Sequence, residues 1–160
     1  MNSVIEIDGE ISDDLKLVAE KVALDVIFFM KQPDELEVAI SFVSEDEIKR
    51  INNEFRNIDR VTDVLSFPST SIVVGEILDT GSEEVMFLKT ENNLIHFGDM
   101  AICMAQLERQ ADEYGVTVES ELKKLVIHSM LHFMGYDHID DGDFEIMNKK
   151  EIELDKLIKI

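Results

Sequence analysis

The stretch Leu122-Lys123-Lys124-Leu125-Val126-Ile127-His128-Ser129-Met130-Leu131-His132-Phe133-Met134-Gly135-Tyr136-Asp137-His138 decides how this chain is read. Leu122, Leu125, Val126, Ile127, Met130, Leu131, Phe133 and Met134 make it apolar nearly all round. A helix with that pattern belongs inside a protein. His128 and His132 interrupt it, and three of the four histidines in the chain fall within these few residues. Four residues turn an α-helix through about 400°, so both imidazoles leave one face, a turn apart. Gly135 stands where a helix closes in the left-handed conformation, and the reversal lets His138 swing back towards the pair. Buried imidazoles need partners, and one metal ion satisfies several at once. Three histidines on one zinc ion, with a fourth position open, form the pattern of a catalytic site. A purely structural zinc would want a fourth protein ligand, for which Cys103 and Asp137 are candidates.

The spacing His-x3-His-x2-Gly-x2-His is also that of the metzincin proteases. Those enzymes carry a glutamate directly after the first histidine as general base. Here the position is Ser129, which cannot do that work. Spacing alone therefore supports a zincin-like metal site and a hydrolase, with the substrate open.

Around this segment the chain alternates helical and extended patterns. Ile5 and Ile7 alternate with acids, predicting a short strand. Ser12 reads as the N-cap of a long helix through Leu15, Val18, Val22, Val26 and Phe29, stopped near Pro33. Leu36, Val38, Ile40 and Phe42 predict a half-buried strand. Ser44 to Glu47 reads as a capping box, with Val43 and Ile48 as its hydrophobic staple. The helix that follows places Ile48, Ile51 and Phe55 on one face and ends near Asn57. Further strands are expected at 63–67 and 97–103, and further helices at about 104–115, 118–134 and from Asp141, which is taken as a cap. That last helix is expected to use Phe144, Met147, Leu154 and Leu157. Residues 69–96 read as a long surface loop with a short hairpin. The fold class is α+β, a small mixed four-stranded sheet packed with about five helices, and residues 1–160 are read as a single domain.

Composition narrows the setting. The chain has 160 residues, 45% of them hydrophobic, which suits a folded domain with a real core. One cysteine excludes an internal disulfide and favours a reducing compartment. The first residues carry no basic or apolar leader, and no stretch approaches a membrane span of about 20 residues. A cytoplasmic protein with no membrane partner is expected. The net charge of −20 opposes broad contact with an anionic polymer, since phosphates are bound by Lys and Arg.

The segment from His128 to His138 resembles the signature of the bacterial YbeY family. Two further stretches are similar to the family in the same order. One runs Ile51-Asn52-Asn53-Glu54-Phe55-Arg56, then on to Thr62-Asp63-Val64-Leu65-Ser66-Phe67-Pro68. The other is Gly98-Asp99-Met100, with Gln110-Ala111 and Glu113-Tyr114-Gly115 after it. The likeness covers about residue 36 to the last helix. Three positions depart from the family: Ser129 stands for a glycine, Phe133 for a leucine and Val61 for a proline.

The resemblance implies a zinc-dependent, single-strand-specific endoribonuclease acting in rRNA maturation and ribosome quality control. Its partners would be single-stranded RNA, above all rRNA, and the ribosome or ribosomal proteins, with no DNA expected. It implies one Zn2+ on His128, His132 and His138, with Arg56 and His128 as catalytic residues. Arg56 suits the chemistry, because a guanidinium is a fixed, always charged fork for phosphate oxygens. Lys49, Arg50 and Arg60 are candidates for a basic rim, although they alternate with Glu54 and Asp59. Asp63, Asp99 and Asp137 can each orient a ligand or simply shape a loop. His96 reads as structural and Cys103 as a buried small hydrophobe. The alternatives are a metalloprotease-like hydrolase and a non-catalytic ribosome assembly factor with a structural zinc.

Overall fold

In the computed structural model, which describes residues 2–160, strand β2 (Leu36–Val43) alternates strictly. Leu36, Val38, Ile40 and Phe42 are buried and the residues between them half-buried. β1 (Val4–Asp8) and β4 (Ile95–Cys103) flank it in parallel, and β3 (Val64–Pro68) pairs antiparallel to β4. The order β1-β2-β4-β3 leaves β3 at an edge, so the sheet is mixed and four-stranded. Parallel neighbours need crossovers. α1 (Asp13–Phe29) joins β1 to β2, and α2 (Glu45–Arg56) leads on to β3. α3 (Glu83–Met86), α4 (Met104–Tyr114), α5 (Val118–Phe133) and α6 (Asp141–Leu157) complete the order.

The two faces of the sheet are covered unequally. Ile40, Met100 and Ile102 belong to the main core, shared with Val22 and Val26 of α1 and with Val126, Met130 and Phe133 of α5. Leu65, Ala101 and Cys103, of opposite parity along the strands, meet Ile48 of α2 in a smaller cluster. Wholly burying a side chain such as Ile48 stabilises by about 1.5–3 kcal/mol. Gly98 decides how closely α5 approaches the sheet. A Cβ there would fall 2.6 Å from the Phe133 ring. That ring packs edge-on against Phe97 at 6.0 Å between centroids.

The caps predicted at Ser12 and Ser44 form, their hydroxyls accepting hydrogen bonds from Leu15 and Glu47, each worth about 1 kcal/mol. Thr117, which gave no expectation, caps α5 in the same way through Ser120 N. Only half of the capping box at Ser44 is made, because the Glu47 carboxylate turns to Arg50.

Other expectations are corrected. The stretch 69–96 holds a short sixth helix, α3, begun by a Ser82 cap, and a lone Lys89–Ile95 bridge in place of a hairpin. β3 begins at Val64 because the Asp63 side chain takes up the Val64 N–H. The cap of α6 is Asp140, one residue before Asp141, and its carboxylate accepts from Asp143 N. Met147 and Leu154 are buried as expected, but Phe144 and Leu157 are exposed. Phe55 likewise leaves the α2 core face and lies 64% exposed.

Candidate metal centre

α5 brings His128 and His132 to one face, and the turn after it delivers His138. Gly135 makes that turn with φ +91°, and a Cβ there would meet the Ile72 carbonyl oxygen at 2.0 Å. Asp137 accepts a hydrogen bond from the His138 N–H at 2.8 Å, so it shapes the turn that presents His138. One ring nitrogen of each of the three histidines lies within 4.8 Å of the others, a set that can hold a metal ion.

The donor chemistry fits an ion. His132 donates through Nδ1 to the Tyr136 carbonyl at 2.9 Å, and His128 through Nδ1 to Glu151 Oε1 at 2.7 Å. A proton on Nδ1 leaves Nε2 with a lone pair. The two Nε2 atoms stand 3.1 Å apart, facing one another. Two lone pairs directed at one space favour a shared cation, and the outer bonds to Tyr136 and Glu151 fix both tautomers. Burial holds the His132 pKa below the ordinary imidazole value; the nearby His128 and His138 push the same way and Asp137 opposes them. Glu151, on α6, gave no signal in sequence, because it is 23 residues from its partner and follows no motif spacing.

The histidines border a cleft of about 600 Å³ that runs along β3. Arg56, the last residue of α2, lines the cleft with them. Asn57 closes α2 in the left-handed conformation at φ +58°, and buried Asn52 donates to the Arg60 carbonyl at 3.1 Å, which holds the loop beyond it. Arg56 also borders a second hollow of about 430 Å³, shared with His128, His138, Lys124 and Glu151. Two cations of the candidate basic rim are neutralised, while Arg60 makes no ion pair among the described residues. Arg50 bonds Glu47 and Glu54 at 2.6 and 2.7 Å, and Lys49 lies 4.0 Å from Asp59. Arg56 makes no ion pair among the described residues.

The remaining candidates lie elsewhere. Asp99 pairs with His96 at 2.9 Å and not with a clustered histidine. Asp63 holds Val64 N and Gln110, anchoring the start of β3. Cys103 is buried beneath α2 and stays outside the histidine set. Ser129 is also buried, with its hydroxyl 2.6 Å from that of Ser66 on β3. The position that holds a protease's base is therefore spent on tying α5 to the edge strand.

The family described as Endoribonuclease YbeY matches residues 4–159, which extends the likeness to the first strand. The chain belongs to the YbeY family. An Endoribonuclease YbeY of Lachnospira eligens is 35% identical over 159 residues, covering 94% of each chain. One from Finegoldia magna is 39% identical over 144 residues, covering 90% of this chain and 83% of that one. Among solved structures, TM1509 from Thermotoga maritima is similar with a TM-score of 0.56 and 30% identity, covering 95% of this chain and 87% of that one. The α+β architecture and the histidine cluster thus sit within a YbeY fold.

Proposed function

We propose that this protein is a zinc-dependent endoribonuclease that cuts single-stranded RNA in rRNA maturation and ribosome quality control, as one domain acting in the cytoplasm. The observation that carries the reading is the meeting, in one cleft, of three converging imidazoles with the guanidinium of Arg56, which has no ion pair among the described residues. Membership of a family of endoribonucleases supports the phosphodiester as substrate.

His128, His132 and His138 would hold the ion. A bound zinc supplies Lewis acidity and lowers the pKa of its water to about 7. The protein's own part is positioning and charge. Glu151 and the Tyr136 carbonyl hold two imidazoles in the tautomer that offers Nε2. Arg56 would take phosphate oxygens in its fork and stabilise negative charge as it grows on them. His128 joins the two tasks, because it borders both hollows that Arg56 lines. With so little free positive charge, the protein would grip few phosphates, and binding should fall only shallowly with salt.

The test is bound metal and cleavage of single-stranded RNA for wild type, His132→Ala and Arg56→Ala. Wild type should carry about one zinc per chain and cleave. His132→Ala should lose both properties, and Arg56→Ala should keep the metal and lose cleavage. A folded, zinc-loaded wild type that cuts no RNA would overturn the reading in favour of a ribosome assembly factor.

A further inference from the structure

Phe55 stands out on the wall of the cleft. Its helix buries Ile48 and half-buries Ile51, yet the Phe55 ring is 64% exposed. A single exposed aromatic residue is ordinary on a protein surface. This one lines the same cleft as Arg56 and the three histidines. Its ring is also held. It packs edge-to-face on Phe67 of β3, with centroids 5.3 Å apart and planes at 66°. The contact with Phe67 restricts the ring while most of it stays open to the cleft.

The charge balance shows what such a ring can do. The net charge is −20, and among the described residues the cations near the end of α2 are paired with acids, apart from Arg56 and Arg60. Phosphate contacts alone therefore offer little grip on RNA. Stacking needs no charge, and every nucleobase has a face to offer. From these observations we propose that Phe55 is a nucleobase platform: it stacks an unpaired base of the strand whose phosphate Arg56 holds. The inference rests on the RNA reading above and deepens it. A base within a duplex is stacked on its neighbours and cannot offer its face to Phe55. The platform therefore contributes to a preference for single strands, and it does so with little regard to base identity.

The experiment uses zinc-loaded full chain, Phe55→Leu, Phe55→Trp and an unpaired RNA decamer. Leucine keeps apolar cover over Phe67 but cannot stack. Its KM should rise about tenfold, the size expected for one lost stack, with kcat within about twofold and an unchanged melting temperature. An abasic site at the stacked position should raise the wild-type KM by the same factor and add nothing in Phe55→Leu. The chain has no tryptophan, so Phe55→Trp introduces a single indole, which can be excited selectively over the two tyrosines. Its KM should match wild type. Its emission should be quenched by the unpaired decamer and not by a duplex of the same sequence or by a base-free ribose-phosphate strand. An unchanged KM in a folded Phe55→Leu, or equal quenching by the base-free strand, overturns the platform. If wild type cleaves no RNA, the catalytic reading fails separately. The tryptophan titration still decides, since quenching by bases upholds the platform and its absence removes it.

Discussion

In the last turns of α5, His132 is fixed by the Tyr136 carbonyl and His128 by Glu151, whereas in the last turn of α2 Arg56 has no ion pair among the described residues and Phe55 is largely exposed. Both turns end at a left-handed residue, Gly135 in one and Asn57 in the other. Both line one cleft along the free edge of β3. In the first, His128 and His132 are half-buried and their rings are set before anything binds, while His138 is exposed and placed through its backbone. The second faces water and gains its partners only when a ligand arrives. A metal needs donors held in place beforehand, because moving an imidazole after binding weakens the site. A long, variable strand of RNA is better met by groups that are anchored at the root and open at the tip.

Breaking the first wall should have the larger effect. His132→Ala is expected to remove bound zinc and lower RNA cleavage by more than about a hundredfold. Metal analysis and single-turnover cleavage check both, and a folded variant that keeps its zinc would show that His132 is not a ligand. Arg56→Ala tests the second wall. It should lower kcat by about 10²–10³, the range for losing one donor that meets developing charge, while zinc content stays at the wild-type level. Loss of zinc in that variant would dissolve the distinction between the two walls.

Glu151→Gln sharpens the comparison, since it keeps the shape of the partner and removes its charge. Zinc affinity measured by competition with a chelator should fall about 10- to 100-fold. Gly98→Ala reaches the first wall from beneath, because the added methyl must displace the Phe133 ring beside His132. A loss of about 1–3 kcal/mol in chemical denaturation is expected.

The smallest effect is that of pH on the metal-free protein. His132 is held below its unfolded value of 6.5. The unfolded chain therefore takes up a proton below about pH 6.5 that the folded chain refuses. Stability should be flat above that pH and fall below it, with a slope of at most about 1.4 kcal/mol per pH unit from this group. Denaturant midpoints of wild type and His132→Ala between pH 5 and 8 would read the difference.

Much of the frame was legible from residue spacing. The strict alternation from Leu36 to Phe42 specified β2, and the four-residue step from His128 to His132 specified a shared face. Gly135 announced the turn that carries His138. These features depend on neighbours within a turn or a few residues of strand, where backbone geometry sets direction. The stretch 69–96 was not legible, because its short helix α3 rests on one Ser82 cap and one buried valine, Val85, with no sustained period. Phe55 was misread for a related reason. It continues the helical period of Ile48 and Ile51, but the small cluster under α2 ends before it.

By itself, then, the sequence determined the elements outside 69–96, the shared face of the two histidines and the family to which they belong. The tertiary structure alone decided that Glu151 on α6 meets His128, that Ser129 is spent on Ser66, and that Phe55 faces the cleft beside Arg56. The physical reason is range. Periodicity and capping are governed by bonds and contacts within a few residues. The partners of a side chain across a fold are set by how whole elements pack, and no local pattern encodes that.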